Sequence, residues 1–274
     1  MGWFMKKSCG LVLLYLMGVI GFLAFGYLTD SAYAQVKEYQ EYDGIMLFYT
    51  SKDVTIYREL LPAVFDLPGQ PLVEVFVFDF YKMAPWALKP YQEAAVFLLG
   101  NYNGEQIWHC ITMPVTSERA RIGGIRNQGY PKVLAEVTFV RKNPLFLGIL
   151  KANGKTIMEL TLDTEGGTVS PKEKDWFVRL TGIPSLNFLN GKLIDPMPRS
   201  GKTRISILDL SEKYPEIFKV RVGKAALTTF PKNAPKDSDW RPKAFAIEVK
   251  EIILAYYFQN KYGFSFGAPK VISD

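Results

Sequence analysis

Lys132 stands directly behind Gly129-Tyr130-Pro131, at the head of the alternating apolar run KVLAEVTFV. Lysine is a poor strand former and among the side chains least often buried. Two readings compete. On a strand starting at Lys132, the side chains of Leu134, Glu136, Thr138 and Val140 share its face, while Val133, Ala135, Val137 and Phe139 share the other. That pattern suits a solvated lysine at a strand end. The alternative is an amine held in a pocket because it does chemistry. A neutral amine attacks a ketone, yet with an ordinary pKa near ~10.4 only about one lysine in 2,500 is neutral at pH 7. Burial in apolar surroundings disfavours the ammonium and raises that fraction. The second unusual residue is Glu93 in PYQEAAVFLL: the run 94–99 behind it is apolar on both faces, so this carboxylate starts a buried stretch.

Other chemistries are excluded. The only histidine is His109, so a polyhistidine zinc site, a Ser-His-Asp triad built elsewhere and a histidine relay are all ruled out, apart from constructions on that one ring. His109 and Cys110 are neighbours on an expected strand and point to opposite faces, a poor arrangement for a thiolate–imidazole pair, and both read as structural. No phosphate-binding glycine loop or dinucleotide fingerprint occurs. The formal charge of +6 comes from 33 basic and 27 acidic residues mixed along the chain, with no run of five like charges. Nothing resembles a nucleic-acid arm or a polybasic membrane patch. The mild basicity is compatible with small anionic substrates and equally with an ordinary solvated surface.

The elements that must position these residues are mostly strands. A hydrophobic content of 48%, with aromatics at 14%, fills a sizeable core. Residues 1–34 read as an address: Lys6 and Lys7, then an apolar run, then Ala32 and Ala34 before Gln35, the pattern of a secretory signal peptide with an uncleaved anchor as alternative. Either way the folded part, 35–274, is expected outside the cytoplasm, periplasmic or secreted, touching a membrane only through that segment. Cys9 leaves with the signal and Cys110 remains alone, so no internal disulfide forms. YTSKDVTIYRELLP predicts a short helix capped by Thr50 or Ser51. PLVEVFVFDFY, EAAVFLLG, QIWHCITM, KVLAEVTFV and LFLGILKA predict strands, and Asn153-Gly154 predicts a hairpin turn. After a looser middle, TRISILDL and IFKVRVGKAAL continue the strand signals, while AFAIEVKEIILAYYF fits helix or strand. The expectation is one mainly β (α+β) domain, a barrel or sandwich with a few short helices.

The stretch Gly124-Ile125-Arg126-Asn127-Gln128-Gly129-Tyr130-Pro131-Lys132 resembles the glycine, glycine-aromatic-proline-lysine block of the acetoacetate decarboxylase family. PYQEA resembles that family's glutamate segment, and PLVEV and GKAALTTFPKNAP extend the likeness over most of the chain. The resemblance implies a single cone-shaped β-barrel in a homo-oligomer, with Lys132 as the Schiff-base amine and Glu93 as the residue that orients substrate or moves protons. It implies no metal or organic cofactor, because the lysine iminium is itself the electron sink. It also implies a small keto acid as substrate, with β-keto acid decarboxylation as the default reaction. A non-catalytic barrel binding a small apolar or carboxylated ligand, and an aldolase-dehydratase using the same lysine, are the alternatives. The chain departs from the family in three places: Val133 follows the lysine where a second lysine is common, Ile125-Arg126 replaces Arg-Glu, and no arginine stands near Tyr42 or Asp43. Arg126 and Tyr130 are the expected substrate contacts, Arg126 as the replacement cation.

Overall fold

The computed structural model describes residues 38–167, 169–196, 207–237 and 239–273; the segment 1–34 read as a signal lies outside them. The chain opens with β1 (Tyr39–Ser51), α1 (Val54–Leu60), β2 (Leu72–Met83), β3 (Tyr91–Tyr102) and β4 (Glu105–Val115). It then forms α2 (Glu118–Gln128), β5 (Lys132–Leu134), β6 (Glu136–Lys142), β7 (Leu145–Ala152) and β8 (Lys155–Asp163). The second half holds α3 (Pro171–Thr181), β9 (Asn187–Leu189), β10 (Lys192–Asp195) and α4 (Ile207–Lys213). Strands β11 (Phe218–Val222), β12 (Lys224–Thr229), β13 (Val249–Asn260) and β14 (Lys270–Ser273) complete it.

A seven-stranded sheet in the order β11-β13-β1-β2-β3-β4-β5 is the centre of the fold. One of its faces packs on the four-stranded sheet β12-β8-β7-β6, through residues such as Val75, Val77, Phe146, Leu160 and Tyr257. The other face, carrying Phe76, Phe97, Trp108 and Tyr256, packs on the helices through Ala120, Phe177 and Leu208. This is a layered α+β solution: each apolar sheet face is covered by another element. Among the described residues no sheet closes on itself by hydrogen bonding, so strand pairing alone does not establish the single barrel expected above. The two sheets part at Ala135. The run KVLAEVTFV breaks there, β5 pairing in parallel with β4 and β6 leaving to join β7 in the other sheet.

The hairpin at Asn153-Gly154 forms with φ of 51° and 72°, the left-handed pair that a tight turn of this kind requires. AFAIEVKEIILAYYF resolves as a short 3-10 turn, Pro242–Ala246, followed by strand β13. Two expectations need correcting. The first helix is capped by Asp53, whose Oδ1 accepts from the amides of Thr55 at 2.7 Å and Ile56 at 3.3 Å, because Thr50 and Ser51 are still in β1. The described end of TRISILDL is helix α4, not strand; its buried Leu208 faces the helical layer, and that packing overrides the β preference of the isoleucines.

Candidate functional site

The covering of Lys132 begins with α2. Ser117 starts the helix, its Oγ accepting from the Ala120 amide at 3.3 Å, and Gly129 ends it in the left-handed conformation at φ 66°. The Tyr130 amide then donates to the Gly124 carbonyl at 3.1 Å, closing the helix end. Pro131 cannot continue a helix, and the chain enters β5 with Lys132 beside Met113 of β4. The helix therefore folds back over the strand that follows it. Gly124 is what permits the approach: a Cβ there would lie 2.5 Å from Cε of Lys132 and 2.6 Å from Cδ.

The alternation of the run holds, with one exception. Leu134, Glu136 and Thr138 are exposed as expected of a solvated face, but Lys132 on the same face is only 7% exposed. Val133 points into the opposite core, so it could not act on the amine even as a lysine without a break in the strand. Glu93, the third residue of β3, is equally buried, and Nζ of Lys132 donates to its Oε2 at 2.9 Å. The rings of Tyr91 and Tyr130 flank the amine, their centroids 5.7 and 5.9 Å from Nζ. Tyr91 shares side-chain hydrogen bonds with Glu93 and Tyr39; burial, and then the Glu93 charge, push its hydroxyl well above the usual range, so it stays protonated. A buried ion pair of this kind costs desolvation of both charges.

Two cavities meet at this amine. One, of about 580 Å³, runs along α2 and is lined by Tyr39, Leu88, Ile122, Tyr130 and Phe266 together with Lys132. The other, of about 590 Å³, lies between α2 and β9 and is lined by Arg121, Ile125, Tyr130, Phe188 and Arg241 besides Lys132. Both volumes suit an organic ligand. His109 and Cys110 belong to the wall of the second cavity. Cys110 is pushed up by burial, and His109 is pushed down to about 4, first by burial, with its Nδ1 at 2.8 Å from the Leu186 carbonyl. Both are neutral at pH 7 and fit the structural part assigned to them.

Of the residues expected in the site, the structure brings together Lys132, Glu93 and Tyr130. Arg126 does not join them. It is exposed on α2, two residues beyond the buried Gly124, and lines neither cavity, because a helix turns about 100° per residue and carries it to the outer side. Asp43, near the position of the missing arginine, points into the other core, where it pairs with Arg141 and accepts from the Tyr257 hydroxyl at 2.9 Å. Sequence reasoning overlooked Tyr91, Glu74 and Arg241. Tyr91 lies two residues before Glu93 on an expected strand, and that spacing could have found it. Glu74, in the quoted PLVEV, is buried on the same sheet face, where burial alone pushes it up to about 8. Nothing in its neighbourhood in sequence marks Arg241.

The comparisons agree with this fold. The acetoacetate decarboxylase of Legionella pneumophila subsp. pneumophila has a similar fold, with a TM-score of 0.58 at 16% identity, covering 87% of each chain. The enduracididine biosynthesis enzyme MppR, in complex with the condensation product of pyruvate and imidazole 4-carboxaldehyde, gives a TM-score of 0.58 at 16% identity, over 85% of this chain and 88% of that one. An acetoacetate decarboxylase-like enzyme from Sphingomonas wittichii RW1 gives 0.55 at 18% identity, over 85% and 92%. None of the curated proteins matches the chain. The family model described as acetoacetate decarboxylase matches residues 24–274, nearly the whole sequence, and the chain belongs to the acetoacetate decarboxylase family.

Proposed function

We propose that this protein is a Schiff-base lysine enzyme acting on a small keto acid, with decarboxylation of a β-keto acid as its default reaction. The observation that carries the reading is the buried Lys132–Glu93 pair, 2.9 Å apart, at the meeting of two cavities. Glu93 takes one proton from the Lys132 ammonium. The neutral Nζ attacks the ketone carbon, Glu93 returns its proton to the carbonyl oxygen, and a second proton, given up by the attacking nitrogen, lets that oxygen leave as water. In the iminium that results, the bond between the α-carbon and the carboxylate breaks. Its electron pair moves into the enamine and carbon dioxide departs. Protonation of the enamine carbon and hydrolysis of the imine release the ketone and restore the amine. The flanking Tyr91 and Tyr130 rings keep the amine away from bulk water and fix its direction.

A second reading, aldol condensation and dehydration through the same enamine, is supported by the MppR likeness and by the second cavity beside Lys132, which leaves room for an aldehyde. Both readings begin with the same imine. Incubation with acetoacetate or pyruvate and borohydride, followed by peptide mass analysis, should give a reduced adduct on Lys132. No adduct across a panel of keto acids sinks both readings in favour of a non-catalytic binding protein. Product analysis with acetoacetate alone and with pyruvate plus an aldehyde separates the two. We further propose that the protein works outside the cytoplasm as a homo-oligomer, which the signal-like N-terminus and the family membership support; cell fractionation and light scattering test this.

A further inference from the structure

We propose that Arg241 is the carboxylate anchor of this site: an oxo acid lies in the cavity between α2 and β9 with its carbonyl toward Lys132 and its carboxylate on the Arg241 guanidinium. The proposal rests on the reading of Lys132 as the amine nucleophile. It also supplies a cation where Arg126, exposed on the outer side of α2, does not.

The cavity of about 590 Å³ reaches from the buried Lys132 to the exposed Arg241, so one ligand can touch both. Arg241 forms no ion pair among the described residues, whereas Arg121 in the same wall is held by Glu118 through two hydrogen bonds of 2.7 Å. A guanidinium without a carboxylate partner presents a planar fork matched to one. Its backbone is pinned: Trp240 and Phe245 on either side are buried, the Ala244 amide donates to the Arg241 carbonyl at 2.9 Å, and the Trp240 amide donates to Oδ1 of Asp237 at 3.2 Å. The Arg241 charge reaches the buried His109 ring and, together with that of Lys132, the Cys110 thiol that lies in the same wall.

The other cavity is a poorer host for an acid. Its own arginine, Arg119, is accompanied by the carboxylates of Glu38 and Glu118, while the Arg241 cavity sets Arg121 and Arg241 against Asp239 alone. With its acid group at the exposed end and its carbonyl at the buried end, the favoured substrate is an oxo acid whose anchored carboxylate is separated from the ketone by a short chain. A carboxylate held by a guanidinium is stabilised as the anion and does not leave readily as carbon dioxide. The anchor therefore suits a substrate that keeps this carboxylate through the reaction, either beside a second, scissile one or as an aldol donor.

The test separates anchor from amine. Calorimetry with pentanoate, which has no carbonyl, reads the anchor alone; borohydride trapping with 4-oxopentanoate and with 2-pentanone reads the amine with and without the acid group. We expect pentanoate binding to weaken about tenfold or more in Arg241→Gln, to recover in part in Arg241→Lys, and to persist in Arg119→Gln. Trapping of 4-oxopentanoate should weaken by the same factor in Arg241→Gln while trapping of 2-pentanone is unchanged. Wild-type protein that fails to bind pentanoate at millimolar concentration, or binding that survives Arg241→Gln or is lost in Arg119→Gln, overturns the anchor. Pentanoate binding that depends on Arg241, with no adduct from either ketone, leaves the anchor standing and overturns the Schiff-base reading instead.

Discussion

The central sheet carries an ion pair with a buried carboxylate on each face, and the two differ in what surrounds them. On the face toward the second sheet, Asp43 is 1% exposed and is met by Arg141, which also reaches Asp79 and stacks 4.8 Å above the Phe139 ring. The Tyr257 hydroxyl completes the shell, and neither described cavity opens on it. On the helical face, Lys132 and Glu93 are both buried and border two cavities. A buried carboxylate and its pairing are shared, so neither identifies a site. Two things differ: space for a ligand, and the acid–base character of the cation. Arginine does not give up its proton in a protein, and three hydrogen bonds from Arg141, two to Asp43 and one to Asp79, hold β6 against β1 and β2. Lysine can give up its proton, and on the proposed reading Lys132 does so across 2.9 Å. The first pair is then a fastener and the second a reagent.

Removing the reagent should have the largest effect. Lys132→Arg keeps a cation against Glu93 but has no amine able to form an imine, so borohydride adducts and any turnover should disappear while the fold survives. An adduct retained in Lys132→Arg would mean another amine is the nucleophile. Glu93→Gln should leave imine formation possible but slow it by roughly a hundredfold, the usual worth of a positioned proton carrier; an unchanged rate would remove Glu93 from the proton path.

Breaking the fastener should reverse the pattern. Arg141→Ala leaves the buried Asp43 carboxylate without its cation. Because the Arg141 side chain is 37% exposed, we expect a loss of stability near the lower end for such pairs, about 2–3 kcal/mol, read from chemical denaturation. Trapping at Lys132 should continue under conditions where the variant is folded. A variant that keeps full stability but loses trapping would mean that the two faces are coupled and the division drawn above is wrong.

Gly124→Ala sharpens the comparison from the side of geometry. The new methyl would meet the Lys132 stem at 2.5 Å, and a flexible stem shifts more easily than a helix backbone. We expect a modest destabilisation, about 1–3 kcal/mol, with trapping slowed by about tenfold or more because the amine no longer meets Glu93 correctly. Equal trapping rates in the variant and the wild type would show that the approach of α2 is packing alone.

How much of this could be read beforehand varies along the chain. The strands β3, β4 and β7 and the hairpin at Asn153-Gly154 follow from β-branched and aromatic runs bounded by turn residues, which are local properties. The burial of Lys132 does not, because its own strand predicts a solvated face and the cover comes from α2. That helix is polar and holds two glycines, so it lacks an apolar stripe; only Ser117 at its start and Gly129 with Pro131 at its end mark it. Helix α3 was legible and overlooked: Ser170, Pro171 and Glu173 form a capping box with proline at the first turn. Lys132 and Glu93 were found through the family likeness, not through periodicity. Arg241 sits in the 3-10 region before β13, far from both in sequence, and only the folded chain brings it to their cavity.

A change of pH probes the helical face through Glu74, which lies there without belonging to either cavity. Burial pushes its carboxyl up to about 8 from an ordinary value of 4.5. The unfolded chain therefore holds fewer protons at this group than the folded chain between those values, and stability falls as pH rises through that window. His109 acts in the opposite sense. Its folded value of about 4 lies below the ordinary 6.5, so the unfolded chain binds the extra proton and stability falls as pH drops from 6.5 toward 4. The two slopes oppose one another between 4.5 and 6.5, leaving Glu74 alone to act above that range. Glu74→Gln should then gain stability at pH 8 relative to the wild type, by up to a few kcal/mol, and show little difference at pH 4. Denaturation midpoints of both proteins from pH 4 to 9 measure this. Parallel curves would mean that Glu74 is ionised alike in the folded and unfolded chain, and that the helical face tolerates a second buried charge beside its reagent pair.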